Sequence, residues 1–132
     1  MAADIGHLDL DAAAKRGVKV QFLHPQTQEP IADDTFVRVY GCDSDEWKKF
    51  DRELRAQREN PFSKMNESEH EQHLIKVLAK CTFEVSGLII EGVTYTPENI
   101  LEAYTKKGFH FLWEQALNEA MSRRGLDLGK KH

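Results

Sequence analysis

The stretch from Thr96 to Gly125 constrains this chain most. It opens with Thr96-Pro97-Glu98-Asn99, carries apolar residues at Ile100, Leu101 and Tyr104, stops at Gly108, and resumes from Phe109 to Arg124. Threonine accepts a hydrogen bond at a helix N-cap, and proline suits the first helical position, where its missing N–H has no partner to lose. Lys106 and Lys107 suit the negative end of the helix dipole, and Gly108 is expected at the left-handed C′ position. In the second segment Phe109, Leu112, Trp113, Ala116, Leu117, Ala120 and Met121 recur at intervals of three and four, giving a wide apolar face. Gly125 is expected to end it. The stretch therefore reads as a short helix with Ile100, Leu101 and Tyr104 facing inward, a tight turn and a longer helix.

Upstream, the periodicity changes. Residues 7–16 suit a short helical turn capped by Asp11 and stopped by Gly17. Val18–Leu23 and Thr35–Tyr40 alternate apolar and polar positions, the pattern of half-buried strands, and a polar connection with two prolines separates them. The two strands are expected to pair antiparallel. A two-stranded unit is marginal, so it needs a helix or further strands behind it. Asp43-Ser44-Asp45-Glu46 has capping-box spacing, with Asp43 as the cap, and Trp47, Phe50 and Leu54 follow as one narrow stripe. Asn60-Pro61 is expected to stop that helix. Asn66 and Glu69 repeat the capping logic ahead of Leu74, Val77, Leu78 and Cys81. Residues 81–85 and 88–95 then read as extended, with Glu91-Gly92 as a turn.

The fold class is α+β: a small antiparallel β element with a packed helix, followed by a mainly helical C-terminal half. Residues 1–60 form the β-containing half with its helix over 44–59, 61–66 a hinge, 67–125 the helical half and 126–132 a flexible tail.

Composition narrows the functions. Eighteen Lys and Arg stand against 22 Asp and Glu, a net charge of −4. Duplex binders gather a basic face to displace counterions, so nucleic acid is not expected as the main partner. No apolar run approaches membrane-spanning length, and residues 1–10 lack the basic-then-apolar order of a signal peptide. Cys42 and Cys81 share no metal-type spacing and are expected as reduced thiols, Cys81 within the core. A cytosolic address follows.

Three clusters invite chemistry. His70 and His73 lie one turn apart, a spacing that can hold zinc, but no third ligand is apparent. Two solvated histidines at a charged helix start account for the same pair. Asp33-Asp34 and Asp43, Asp45 and Glu46 lack the glycine and ligand spacing of a calcium loop. No phosphate-binding glycine loop or nucleophile motif is present. The residues therefore point to no enzyme activity, no cofactor and no metal. Tyr104, Phe109, Phe111, Trp113 and Leu117 remain, in a segment denser in aromatics than one helix face needs. An aromatic core explains any one of them. A protein-docking patch explains the excess, because aromatics dominate interface hot spots. Phe111 lies off the inward stripe and is the better candidate for it.

Two stretches carry a family resemblance. The first is Leu23-x-Pro25-x-Thr27-x-Glu29-Pro30-Ile31, followed by Val37-x-Val39-Tyr40-Gly41-x-Asp43-Ser44. The second is Gly92-x-x-Tyr95-Thr96-Pro97-Glu98-Asn99, followed by Tyr104, Trp113-Glu114-Gln115 and Arg123-Arg124. Together they resemble the tail assembly chaperones of long-tailed (siphovirus-type) phages and prophages. The resemblance implies a non-enzymatic factor of the host cytoplasm that keeps the tape measure protein soluble until tail tube subunits polymerise around it, and is then absent from the virion. Implied partners are the tape measure protein, the tail tube protein and further copies of the chain, without nucleic acid or membrane. Such proteins are often made in two lengths by a −1 ribosomal frameshift. Leu128, Gly129 and Lys130 are compatible with a slippery G GGA AAA sequence, as they are with an ordinary basic tail. Rival readings are a minor tail or neck protein retained in virions, a small zinc enzyme using His70 and His73, and a cytosolic adapter.

Overall fold

A computed structural model describes residues 17–58 and 64–126, with the backbone alone for 122–126. The expected helical turn at 7–16, the Asn60-Pro61 stop, most of the hinge and the residues Leu128, Gly129 and Lys130 lie outside the described residues.

Strands β1 (Val18–Gln21) and β2 (Phe36–Val39) pair antiparallel, with Val18 opposite Val39 and Val20 opposite Val37. These four valines and Phe22 are buried, while Lys19 is exposed and Arg38 half-buried. Period-two side-chain alternation puts the valines and Phe22 on one face, and Phe36 on the other beneath Lys19 and Arg38. The connecting loop is tied by backbone bonds from His24 to Glu29 and from Gln28 to His24.

Helix α1 (Asp45–Ala56) buries Trp47 and packs Phe50 and Leu54 against the core. Its N-cap is Ser44, one residue later than the spacing suggested. The Ser44 hydroxyl accepts from the Trp47 N–H at 3.1 Å and donates to the Gly41 carbonyl at 2.7 Å. Glu46 does not complete a box: its Oε1 is buried and has no hydrogen-bond partner. Helix α2 (Glu67–Cys81) starts with a full capping box between Asn66 and Glu69.

Strand β3 (Thr82–Ser86) follows α2 directly and pairs antiparallel with the free edge of β2, giving the sheet order β1-β2-β3. A register shift at Arg38/Val39 leaves Phe83 as the extra residue, and its ring stacks on Tyr40 at 4.5 Å. Strands β4 (Ile89–Ile90) and β5 (Val93–Thr94) form a hairpin. Glu91 and Gly92 both have positive φ, as a two-residue hairpin turn matched to strand twist requires.

Helix α3 (Ile100–Tyr104) is shorter than its cap signals imply. Thr96 does not cap it. The Asn99 side chain accepts from the Thr96 N–H at 2.6 Å and from its hydroxyl, which closes residues 96–99 into a turn. Ile100, Ala103 and Tyr104 face inward, whereas Leu101 is exposed. Gly108 has positive φ as expected, but the helix C-cap is Thr105, so the glycine stands beyond C′. Helix α4 (His110–Leu126) runs through Gly125 rather than ending there, and takes in Leu126 of the expected tail. Leu112, Ala116 and Ala120 form its buried stripe, and Met121 is exposed.

The architecture is α+β, with a three-stranded and a two-stranded antiparallel sheet and four helices among the described residues. One apolar cluster runs from Val18 and Val39 through Trp47, Leu78 and Tyr104 to Ala120. The residue 61–66 boundary divides the sequence, not the core. Among the described residues, no helix is long and apolar enough to cross a membrane.

Candidate functional site

The residues around the start of α4 take three different places. Tyr104 is fully buried. Its hydroxyl lies 2.9 Å from Thr82 Oγ1, whose own proton goes to the Leu78 carbonyl. Burial raises the Tyr104 phenol above its ordinary range, against a smaller lowering by the Thr82 bond. Tyr104 is therefore a core residue with no surface to offer a partner. Trp113 and Leu117 are half-buried against the core.

Phe109 and Phe111 differ from these. Their rings lie 6.2 Å apart, and they line an open groove of about 280 Å³ with Ile31, Leu88, Ile89, Ile90 and Leu112. Ile31 is 47% exposed and Ile89 61%. Three elements build the groove: the start of α4, strand β4 and the loop before β2. Thr35 holds two of them together by donating to the Gly87 carbonyl at 3.2 Å. Only glycine fits position 87, where φ is +63° and a Cβ would meet the Asp34 carbonyl oxygen at 2.6 Å.

Sequence periodicity sets Phe111 off the inward stripe but puts Phe109 on it, and it misses Ile31 and Ile89. A signal exists for Ile89. In a strand of period two, only one of the adjacent pair Ile89-Ile90 can face the core, and Ile90 does so.

The histidine pair separates. His70 is exposed, whereas His73 is buried, which corrects its reading as a solvated residue. His73 Nε2 lies 2.5 Å from Asp51 Oδ1. A carboxylate has only acceptors, so Nε2 carries the proton of this bond. Burial acts to raise the Asp51 pKa. Hydrogen bonds from His73 and Arg55, with the charges of both, outweigh it and hold the carboxyl below its ordinary range. Among the described residues, no group of three or more His, Cys, Asp or Glu is placed to hold a metal ion. Both cysteines are free thiols. Burial, with a smaller contribution from Glu46, pushes the Cys81 thiol up to about 12, so it stays protonated at neutral pH.

Among known proteins, no family model matches the chain, and no curated protein or solved structure matches it either.

Proposed function

We propose that this protein is a tail assembly chaperone of a long-tailed phage or prophage. It binds the tape measure protein in the host cytoplasm, keeps it soluble while the tail tube polymerises, and leaves before the virion is complete. The observation that carries this reading is the groove of Phe109, Phe111, Ile31 and Ile89, an open apolar surface on a charged body. A long helical client offers apolar stripes at helical spacing, and a shallow groove takes one stripe per copy. Many weak contacts along one client add through effective concentration, so no single groove needs high affinity. The sequence resemblance adds support at two points. Ile31 ends its first stretch and lines the groove, and Gln115 in the second bonds the backbone of Leu23 in the first.

The test is co-expression with the large coiled-coil-rich protein that this reading expects to be encoded just downstream, followed by pull-down. The combined Phe111→Ala and Ile89→Ser variant is expected to lose most of the co-purified client, since a hot-spot aromatic carries about 2 kcal/mol or more. Equal recovery with parent and variant would sink the groove assignment. The chain's presence in purified particles by mass spectrometry would sink the chaperone role. A slippery heptamer across the codons for Leu128, Gly129 and Lys130 is expected in the nucleotide sequence.

A further inference from the structure

A second depression lies along α2. One part, about 280 Å³, is lined by residues including Leu54, Glu69, His73 and Lys76. The other, about 390 Å³, is lined by Leu54, Lys76, Ala79, Lys80, Leu101 and their neighbours. The two share Leu54 and Lys76, so they are lengths of one trough. The α2 residues involved recur at intervals of three and four, which is one continuous stripe of a helix. That stripe forms the floor, Leu54 of α1 walls one side, and Pro97 and Leu101 wall the other. At 1.5 Å per residue, the α2 lining from Glu69 to Lys80 runs about 17 Å, or three turns.

The lining has two chemistries. Leu101, 38% exposed, and half-buried Leu54 and Pro97 supply its apolar surface, over buried Ala79 and Ile100. Lys76 and Lys80 stand one turn apart along the edge, both exposed, and neither forms an ion pair among the described residues. Arg58 lines the far end together with Glu69, and Glu98 stands on the opposite wall, so the exposed lysine pair lies between the two carboxylates. In a chain of net charge −4, an unneutralised lysine pair beside an apolar bed stands out.

The geometry points to a docking groove for an amphipathic helix with an apolar stripe and an acidic flank. The trough runs along about three turns of α2 between its helical neighbours, so a helix suits it where an extended strand would find no backbone edge to pair with. Its two carboxylates oppose nucleic acid, whereas one acidic flank meets Lys76 and Lys80 without approaching Glu98. This inference does not rest on the tape measure reading, which uses a different groove.

The probe is a labelled synthetic four-turn helix with leucines at i, i+3, i+4 and i+7 and glutamates along one flank, compared with the same helix carrying lysines there. Fluorescence anisotropy should show tighter binding of the glutamate peptide, weakening with added salt because the contacts are exposed. The combined Lys76→Glu and Lys80→Glu variant should invert the preference, with about tenfold loss for the glutamate peptide. Both positions are exposed, so the variant is expected to fold, and circular dichroism checks that it does. Leu101→Ser should weaken both peptides. Three results overturn the proposal: equal binding of the two peptides, binding lost with Phe111→Ala but kept in the lysine variant, or a dimer that the lysine variant converts to monomer, which would make a second copy the occupant.

Discussion

The Gln115 side chain acts as a strand partner. Its carbonyl oxygen accepts from the Leu23 N–H at 2.8 Å, and its amide donates to the Leu23 carbonyl at 2.9 Å. The contact satisfies the Leu23 backbone groups just beyond the end of β1. Gln115→Ala removes both bonds and leaves part-buried backbone groups unmade, a loss of about 1–3 kcal/mol. Gln115→Glu is the sharper test. At neutral pH its carboxylate keeps the bond from the Leu23 N–H but faces the Leu23 carbonyl with an acceptor. It is expected to destabilise at least as much as alanine at pH 7. Relative to the parent at the same pH, it should recover stability as acid protonates the carboxyl and restores a donor. Urea denaturation of both variants at each pH checks this. None of it is legible in the sequence, where Gln115 is one polar residue on an apolar helix face. Its partner is 92 residues away, and local periodicity carries no such information.

At the scale of elements, sequence signals identify each helix more reliably than its first residue. Asn66 and Glu69 satisfy each other as their spacing implies. At α1, Asp43 and Ser44 are both good caps. Ser44 takes the position because its hydroxyl, unlike a carboxylate, donates to Gly41 while it accepts from Trp47. At α3, Asn99 competes for the Thr96 N–H and shortens the helix, a local side-chain bond displacing helical structure. The α1–α2 contact has a comparable hidden feature in Asp51 and His73. The Asp51 pKa in the folded protein lies below its ordinary value of 3.8. Its contribution to stability is therefore complete above that value and lost as pH falls through the folded pKa. Asp51→Ala leaves buried His73 without its acceptor and should cost on the order of 2 kcal/mol at neutral pH. It should also flatten the acid limb of a plot of urea midpoint against pH. Identical acid limbs in parent and variant would show that another carboxylate controls it.

For the molecule as a whole, the decisive contact is β2 with β3. Two strands and a helix over the first 60 residues could suggest a unit of their own, but β3 comes from beyond α2 and completes the sheet. Strand patterns show that residues 82–86 are extended, not which edge they join, because pairing depends on which apolar faces meet once the helices are packed. Both halves contribute to one core, and each carries one of the two tryptophans: Trp47 on α1 and Trp113 on α4. Removing either half would expose valines of the sheet's inner face, so neither half has a reason to outlast the other. This predicts a single unfolding transition. In the single-tryptophan variants Trp113→Phe and Trp47→Phe, fluorescence reports separately on α1 and on α4, and far-UV circular dichroism reports on all helices. Within each variant, the urea curve by fluorescence should superimpose on the curve by circular dichroism, the test of two-state behaviour. The common slope should suit a small domain unfolding at once, about 1–3 kcal/mol per molar urea. If the hinge divided two independent units, the α1 and α4 reporters would each depart from the overall curve, in opposite directions. A shared core forbids that, because β2 cannot keep its valines buried after β3 and α4 have gone.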